Sequence, residues 1–127
     1  MDKFVRQYID RLRLPPQVVE KWDRDVLGEG FVPFPKKLLR TMHKIFADTD
    51  SIKELAVILA IVDFKRPNLT RLPSLEYLAF LAGLEEEEFE KILLRLEAKG
   101  FIQKSGNRDG MQISLNGFFD VIEKTAG

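Results

Sequence analysis

The sequence predicts a mainly α-helical fold carrying one small β-hairpin, and three observations predict it. Leu75, Leu78, Ala79 and Ala82 recur at helical intervals before Gly83, and Phe89, Ile92, Leu93 and Leu96 recur at the same intervals after it. Beyond Lys99-Gly100 the period changes to alternation in residues 101–105 and 111–115, which flank Gly106-Asn107-Arg108-Asp109-Gly110 and its Asp-Gly turn signal. Residues 52–64, IKELAVILAIVDF, are apolar on nearly every side, as expected of a helix with a buried centre. Their apolar run is too short to cross a bilayer.

The remaining elements follow in order along the chain. Three short helices are expected in the N-terminal third: residues 2–12, about 16–27 with Val18, Val19 and Trp22 inward, and 35–46 with Leu38, Leu39, Met42, Ile45 and Phe46 on one face. Pro15-Pro16 and Gly28-Glu29-Gly30 separate them. Asp50 or Ser51 is placed to cap the apolar helix, and Lys65-Arg66-Pro67-Asn68 ends it. Thr70-Arg71-Leu72 is expected as a short strand adding to the hairpin, and Pro73-Ser74 starts the next helix. Gly83 can leave that helix with positive φ, and Leu84 is the apolar plug behind it.

Composition bounds the function. A chain of 127 residues with 45% hydrophobic content sustains one compact core, read as a domain over residues 31–127 behind a helical extension over residues 1–30. Lys plus Arg equals Asp plus Glu, 20 against 20, so no global field draws the chain to nucleic acid. Cysteine is absent, which excludes disulfides and thiolate metal sites. Met1-Asp2-Lys3 is not followed by an apolar signal segment, which favours the cytoplasm.

Catalysis is not expected. His43 is the single histidine and sits between the apolar and basic faces of its helix, which suits a partly exposed boundary residue better than a catalytic base. Gly28-Glu29-Gly30 lacks the third glycine and preceding strand of a phosphate-cradling loop. No catalytic residue, cofactor, metal or small-molecule substrate is therefore assigned, and no membrane contact is expected.

Zero net charge conceals a separation of sign. Residues 1–46 hold ten basic and six acidic side chains, a balance of +4, whereas residues 85–99 hold six acidic and three basic, a balance of −3. Lys36, Lys37, Arg40 and Lys44 fall opposite the apolar face of their helix and form the best candidate phosphate-binding surface, joined by Lys104, Asn107 and Arg108 at the hairpin tip. A solvated face and a solubilised hairpin explain the same residues without any ligand. Glu85, Glu86, Glu87, Glu88 and Glu90 open the helix after Gly83; acidic residues there complement the helix dipole. The apolar stripe Phe4, Val5, Tyr8, Ile9 and Leu12, with Trp22, is the candidate protein interface, together with Glu86, Glu87 and Glu90.

Ala79 where the two helices cross, Gly83 four residues later, and apolar Phe89 and Ile92 resemble the helix-turn-helix signature, although a glycine-turned αα-hairpin satisfies the same spacing. Helix, turn, helix, glycine and hairpin in that order, over residues 51–115, resemble the winged helix-turn-helix family. With Phe31-Val32-Pro33 through Leu38-Leu39 ahead of them, they are similar to the N-terminal domains of DnaD-type primosome proteins and of phage replication-organiser proteins. That resemblance implies a module of DNA replication initiation that acts mainly by self-assembly and partner contacts. It implies protein partners, including further copies of the chain, and DNA contact only weakly or through a non-standard surface. The alternative is a DNA-binding winged-helix transcriptional regulator or replication initiator that uses the hairpin and the basic helix face. Carboxylates at the start of the second helix favour the first reading, since none can make the Arg-to-guanine or Asn-to-adenine contacts of direct readout.

Overall fold

The computed structural model describes residues 16–22, 25–48, 51–64, 74–106 and 112–127. The chain divides into two units, Met1–Pro33 and Phe34–Gly127. In the first, helix α1 spans Pro16–Trp22 and a turn over residues 25–29 follows, with the Gly30 amide donating to the Leu27 carbonyl at 2.8 Å. The helix is shorter than the expected 16–27, because Val26 and Leu27 belong to that turn, which Gly30 leaves at φ 95°. Trp22, expected inward, is 61% exposed as the last residue of this two-turn helix.

The second unit is mainly helical with one small antiparallel hairpin. Helix α2 (Lys36–Ile45), α3 (Ser51–Phe64), α4 (Leu75–Ala82) and α5 (Glu86–Ala98) precede strands β1 (Gln103–Ser105) and β2 (Gln112–Ser114), and α6 (Asn116–Ala126) closes the chain. Helix α3 packs on α4 and α5, α4 on α5, and α2 on α6. Val57, Ile58 and Ile61 of α3, Leu78 of α4, and Phe89, Leu93 and Leu96 of α5 form the centre of the core.

Local chemistry sets the boundaries. The Ser74 hydroxyl accepts from the Tyr77 amide and caps α4. Gly83 at φ 75° ends that helix, with its own amide donating to the Phe80 carbonyl and the Leu84 amide reaching back to Ala79. Gly100 at φ 79° repeats this at the end of α5, where the Phe101 amide donates to the Leu96 carbonyl. Ser51 is the first residue of α3, and its hydroxyl accepts from the Asp48 amide upstream instead of capping the helix. The expected strand over residues 70–72 lies outside the described residues.

On α2 the apolar face differs from its sequence reading. Leu38 and Thr41 are buried and Met42, Ile45 and Phe46 partly so, whereas Leu39 is 58% exposed. Successive helical residues diverge by about 100°, so a face centred between Leu38 and Thr41 leaves Leu39 on its flank. Thr41 tolerates burial because its hydroxyl donates to the Lys37 carbonyl at 2.8 Å.

The hairpin pairs Gln103 with Ser114, Lys104 with Ile113 and Ser105 with Gln112. Each strand is three residues long, shorter than expected, because the outer positions serve other partners. The Phe101 carbonyl accepts from the Phe118 amide at 2.9 Å, and Ile102 and Leu115 enter the core. Helix α6 was not anticipated from the sequence. Its Phe118 is buried, and the rings of Phe46, Phe101 and Phe118 meet with centroids 5.8–6.3 Å apart.

Candidate protein-contact surface

Helix α5 is the most highly charged of the described helices, with seven charged side chains among its 13 residues. Its N-cap, Glu85, sits in extended geometry without a side-chain cap, so the free amides and dipole of the first turn are complemented by Glu86, Glu87 and Glu88. Of the three candidate contact residues here, Glu86 and Glu87 are exposed and Glu90 partly so.

The cations of the helix gather on one flank. Glu54 of α3, only 4% exposed, receives Lys99 Nζ at 2.8 Å and Arg95 Nε at 3.5 Å. Lys53 reaches Glu88 at 2.6 Å, and Lys91 lies 3.7 Å from Glu87. The buried carboxylate is thus answered by two cations one helical turn apart, whose outer surfaces keep water. A shallow groove of about 450 Å³ runs along this flank, with Lys53, Lys91 and Arg95 facing Glu85, Glu87 and Glu88. Both signs are present in equal number and largely paired, so the groove offers no net field to a charged ligand. On the opposite edge of the helix, Glu86, Glu90 and Glu97 make a carboxylate row; about 100° per residue puts them within about 40° of one another.

The basic candidates divide. Lys36, Arg40 and Lys44 are exposed on α2 and form no ion pair with any described residue, and His43 is exposed beside them. Lys37 Nζ donates to Glu123 of α6 at 2.9 Å and ties the two helices together. Lys104 lies on β1, partly buried, its amide 3.4 Å from a Glu97 carboxylate oxygen. Asn107 and Arg108 lie outside the described residues, as do Phe4, Val5, Tyr8, Ile9 and Leu12.

Sequence reasoning missed the exposed apolar positions of the second unit. Tyr77 (47%) and Phe80 (68%) stand on the outer side of α4 with ring centroids 6.3 Å apart, and Phe64 closes on Tyr77 at 5.6 Å. Their outward direction was legible, since Leu75, Leu78 and Ala79 face inward and residues two positions away must point elsewhere. Leu39 and Leu94 are each 58% exposed, the first beside the basic stripe and the second beside the carboxylate row.

Among the described residues no group of three or more His, Asp or Glu side chains is placed to hold a metal ion, and no helix is long and apolar enough to cross a membrane. No family model matches the chain, and neither a curated protein nor a solved structure is similar enough to count as a match.

Proposed function

We propose that the chain is a non-catalytic, cytoplasmic winged-helix module of DNA replication initiation, of primosome type, acting mainly through protein–protein assembly. The order of α3, α4, the Gly83 turn, α5 and the hairpin supports the winged-helix reading. The observation that carries the functional reading is the exposed acidic face of α5. In a helix-turn-helix this is the helix that enters the major groove, and its first exposed positions approach bases and phosphates. Here Glu85, Glu86 and Glu87 occupy them, exposed, while Arg95 and Lys99 are engaged by Glu54. Such a face repels a polyanion and suits a protein partner.

The test is a fluorescence-anisotropy titration of a labelled random duplex at about 50 and about 200 mM salt, a range over which phosphate-driven binding weakens steeply. The expected result is no binding at either salt. Binding at low salt that falls steeply at high salt would instead favour the second reading, a DNA-binding regulator or initiator. Lys36, Arg40 and Lys44, exposed and in no ion pair with a described residue, favour that alternative, and glutamates at those positions would then weaken binding and flatten its salt slope.

A further inference from the structure

The outward face of α2 combines charge with an exposed apolar side chain. At about 100° per residue, Leu39, His43, Lys36, Arg40 and Lys44 share an arc of about 140°, opposite the face that Leu38 and Thr41 bury. All five are exposed, Leu39 at 58%. Lys36, Arg40 and Lys44 stand four residues apart, about 6 Å along the axis at each step, and make one oblique ridge. Leu39 and His43 make the ridge beside it, and a shallow groove between side chains separates the two. The cations of the first ridge form no ion pair with a described residue, whereas Lys37, on the flank where α2 packs on α6, is held by Glu123 at 2.9 Å.

We infer that this groove takes an acidic amphipathic helix of another protein, its carboxylates against Lys36, Arg40 and Lys44 and its apolar side chains over Leu39. This rests on the assembly reading above and names the class of partner and the surface it uses. Three charges of one sign on a single ridge select an anionic partner. Leu39 decides between the two kinds of polyanion: it stands beside the middle cation, and burying it rewards an apolar side chain, which a phosphate backbone does not offer. Helix geometry supplies the register. When the fourfold ridges of two helices interdigitate, the axes cross at about −50° and the ridges run parallel, so carboxylates four residues apart on the partner keep the spacing of the cations.

The experiment titrates the full chain into a labelled synthetic peptide of roughly 20 residues, long enough to hold a helix, with glutamates four residues apart on one ridge and leucines on the next. Fluorescence anisotropy is expected to show binding at about 50 mM salt that weakens at about 200 mM, as screened charge contacts do. Lys36→Glu with Arg40→Glu should weaken it at least about tenfold. Leu39→Ser, which leaves the charge unchanged, should weaken it severalfold. Peptides carrying glutamine for glutamate, or serine for leucine, should each bind less well to the wild type, and a random duplex should not displace the parent peptide. Circular dichroism checks that every variant is folded, and glutamine replaces the reversed charge in any that is not.

No binding of the peptide to the wild type at low salt overturns this inference. Binding that survives Lys36→Glu with Arg40→Glu overturns it too, since the peptide then sits elsewhere. Loss on charge reversal with Leu39→Ser and the serine peptide both neutral reduces the face to a general anion surface, which also overturns it. A duplex that binds and displaces the peptide, with both lost on the same reversal, gives the face to nucleic acid. The mass of the chain alone by light scattering keeps the two readings apart: a chain that self-assembles but ignores the peptide loses this inference and retains the assembly reading.

Discussion

At the scale of single residues, close backbone approach and one buried charge decide most. A Cβ on Gly117 would stand 1.8 Å from the Gly100 carbonyl oxygen, a backbone atom that cannot swing aside. Gly117→Ala is therefore expected to cost about 2–3 kcal/mol, as for other forced overpacking, read from urea unfolding. Gly83 differs: a Cβ there meets nothing within 4 Å, but the residue sits at φ 75°. Gly83→Ala should cost about 1–2 kcal/mol through backbone strain alone. The Glu54 clamp predicts an asymmetry. Lys99→Met leaves a carboxylate that is 4% exposed with only the longer Arg95 contact, whereas Glu54→Gln leaves two cations that water can reach. The lysine variant should lose about 1–3 kcal/mol and the glutamine variant less, since surface solvation absorbs the freed cations. Thermal unfolding of the two, side by side, measures the difference.

At the scale of elements, α6 closes the core. Phe118 is 1% exposed and its ring touches those of Phe46 and Phe101, so Phe118→Ala should cost about 3–5 kcal/mol by the usual loss for a buried phenylalanine. Much of this architecture was legible. The inward residues of α4 and α5, the glycine between them and the hairpin were all marked by period and turn chemistry, and the buried faces Leu75/Leu78/Ala79 and Phe89/Ile92/Leu93/Leu96 are those read from spacing. Helix α6 was not read, because Asn116-Gly117 looks like punctuation and its apolar positions, Phe118 and Ile122, are too few to set a period. Glycine stands there for packing against Gly100, a long-range contact that no local pattern encodes. The same limit applies to charge. Lys37 and Arg40 look alike along α2, yet only Lys37 meets Glu123, and Glu54 looks like an ordinary first-turn carboxylate until α5 folds over it. Leu39 was placed on the apolar face with Leu38, Met42, Ile45 and Phe46, and the centring of the buried face on Leu38 and Thr41 leaves it exposed.

At the scale of the whole molecule, balanced net charge and separated faces belong together. A chain with 20 basic and 20 acidic side chains has little long-range attraction for nucleic acid, but local faces of opposite sign can still recognise one another at short range. The stripe Phe4, Val5, Tyr8, Ile9 and Leu12 is the candidate interface read from the sequence pattern; on the proposed assembly reading, removing residues 1–14 should lower the mass of any oligomer seen by light scattering, and an unchanged mass would withdraw that stripe. Contacts of this mixed kind are weak and governed by screening, which makes ionic strength the natural variable. The most direct test of the central claim, that this fold works by protein assembly, is the light-scattering mass of the intact chain at about 50 mM salt over a range of protein concentrations, where unscreened contacts are strongest. A mass rising with concentration to at least twice that of one chain is the predicted result. A mass of one chain throughout, together with salt-sensitive duplex binding, would contradict it.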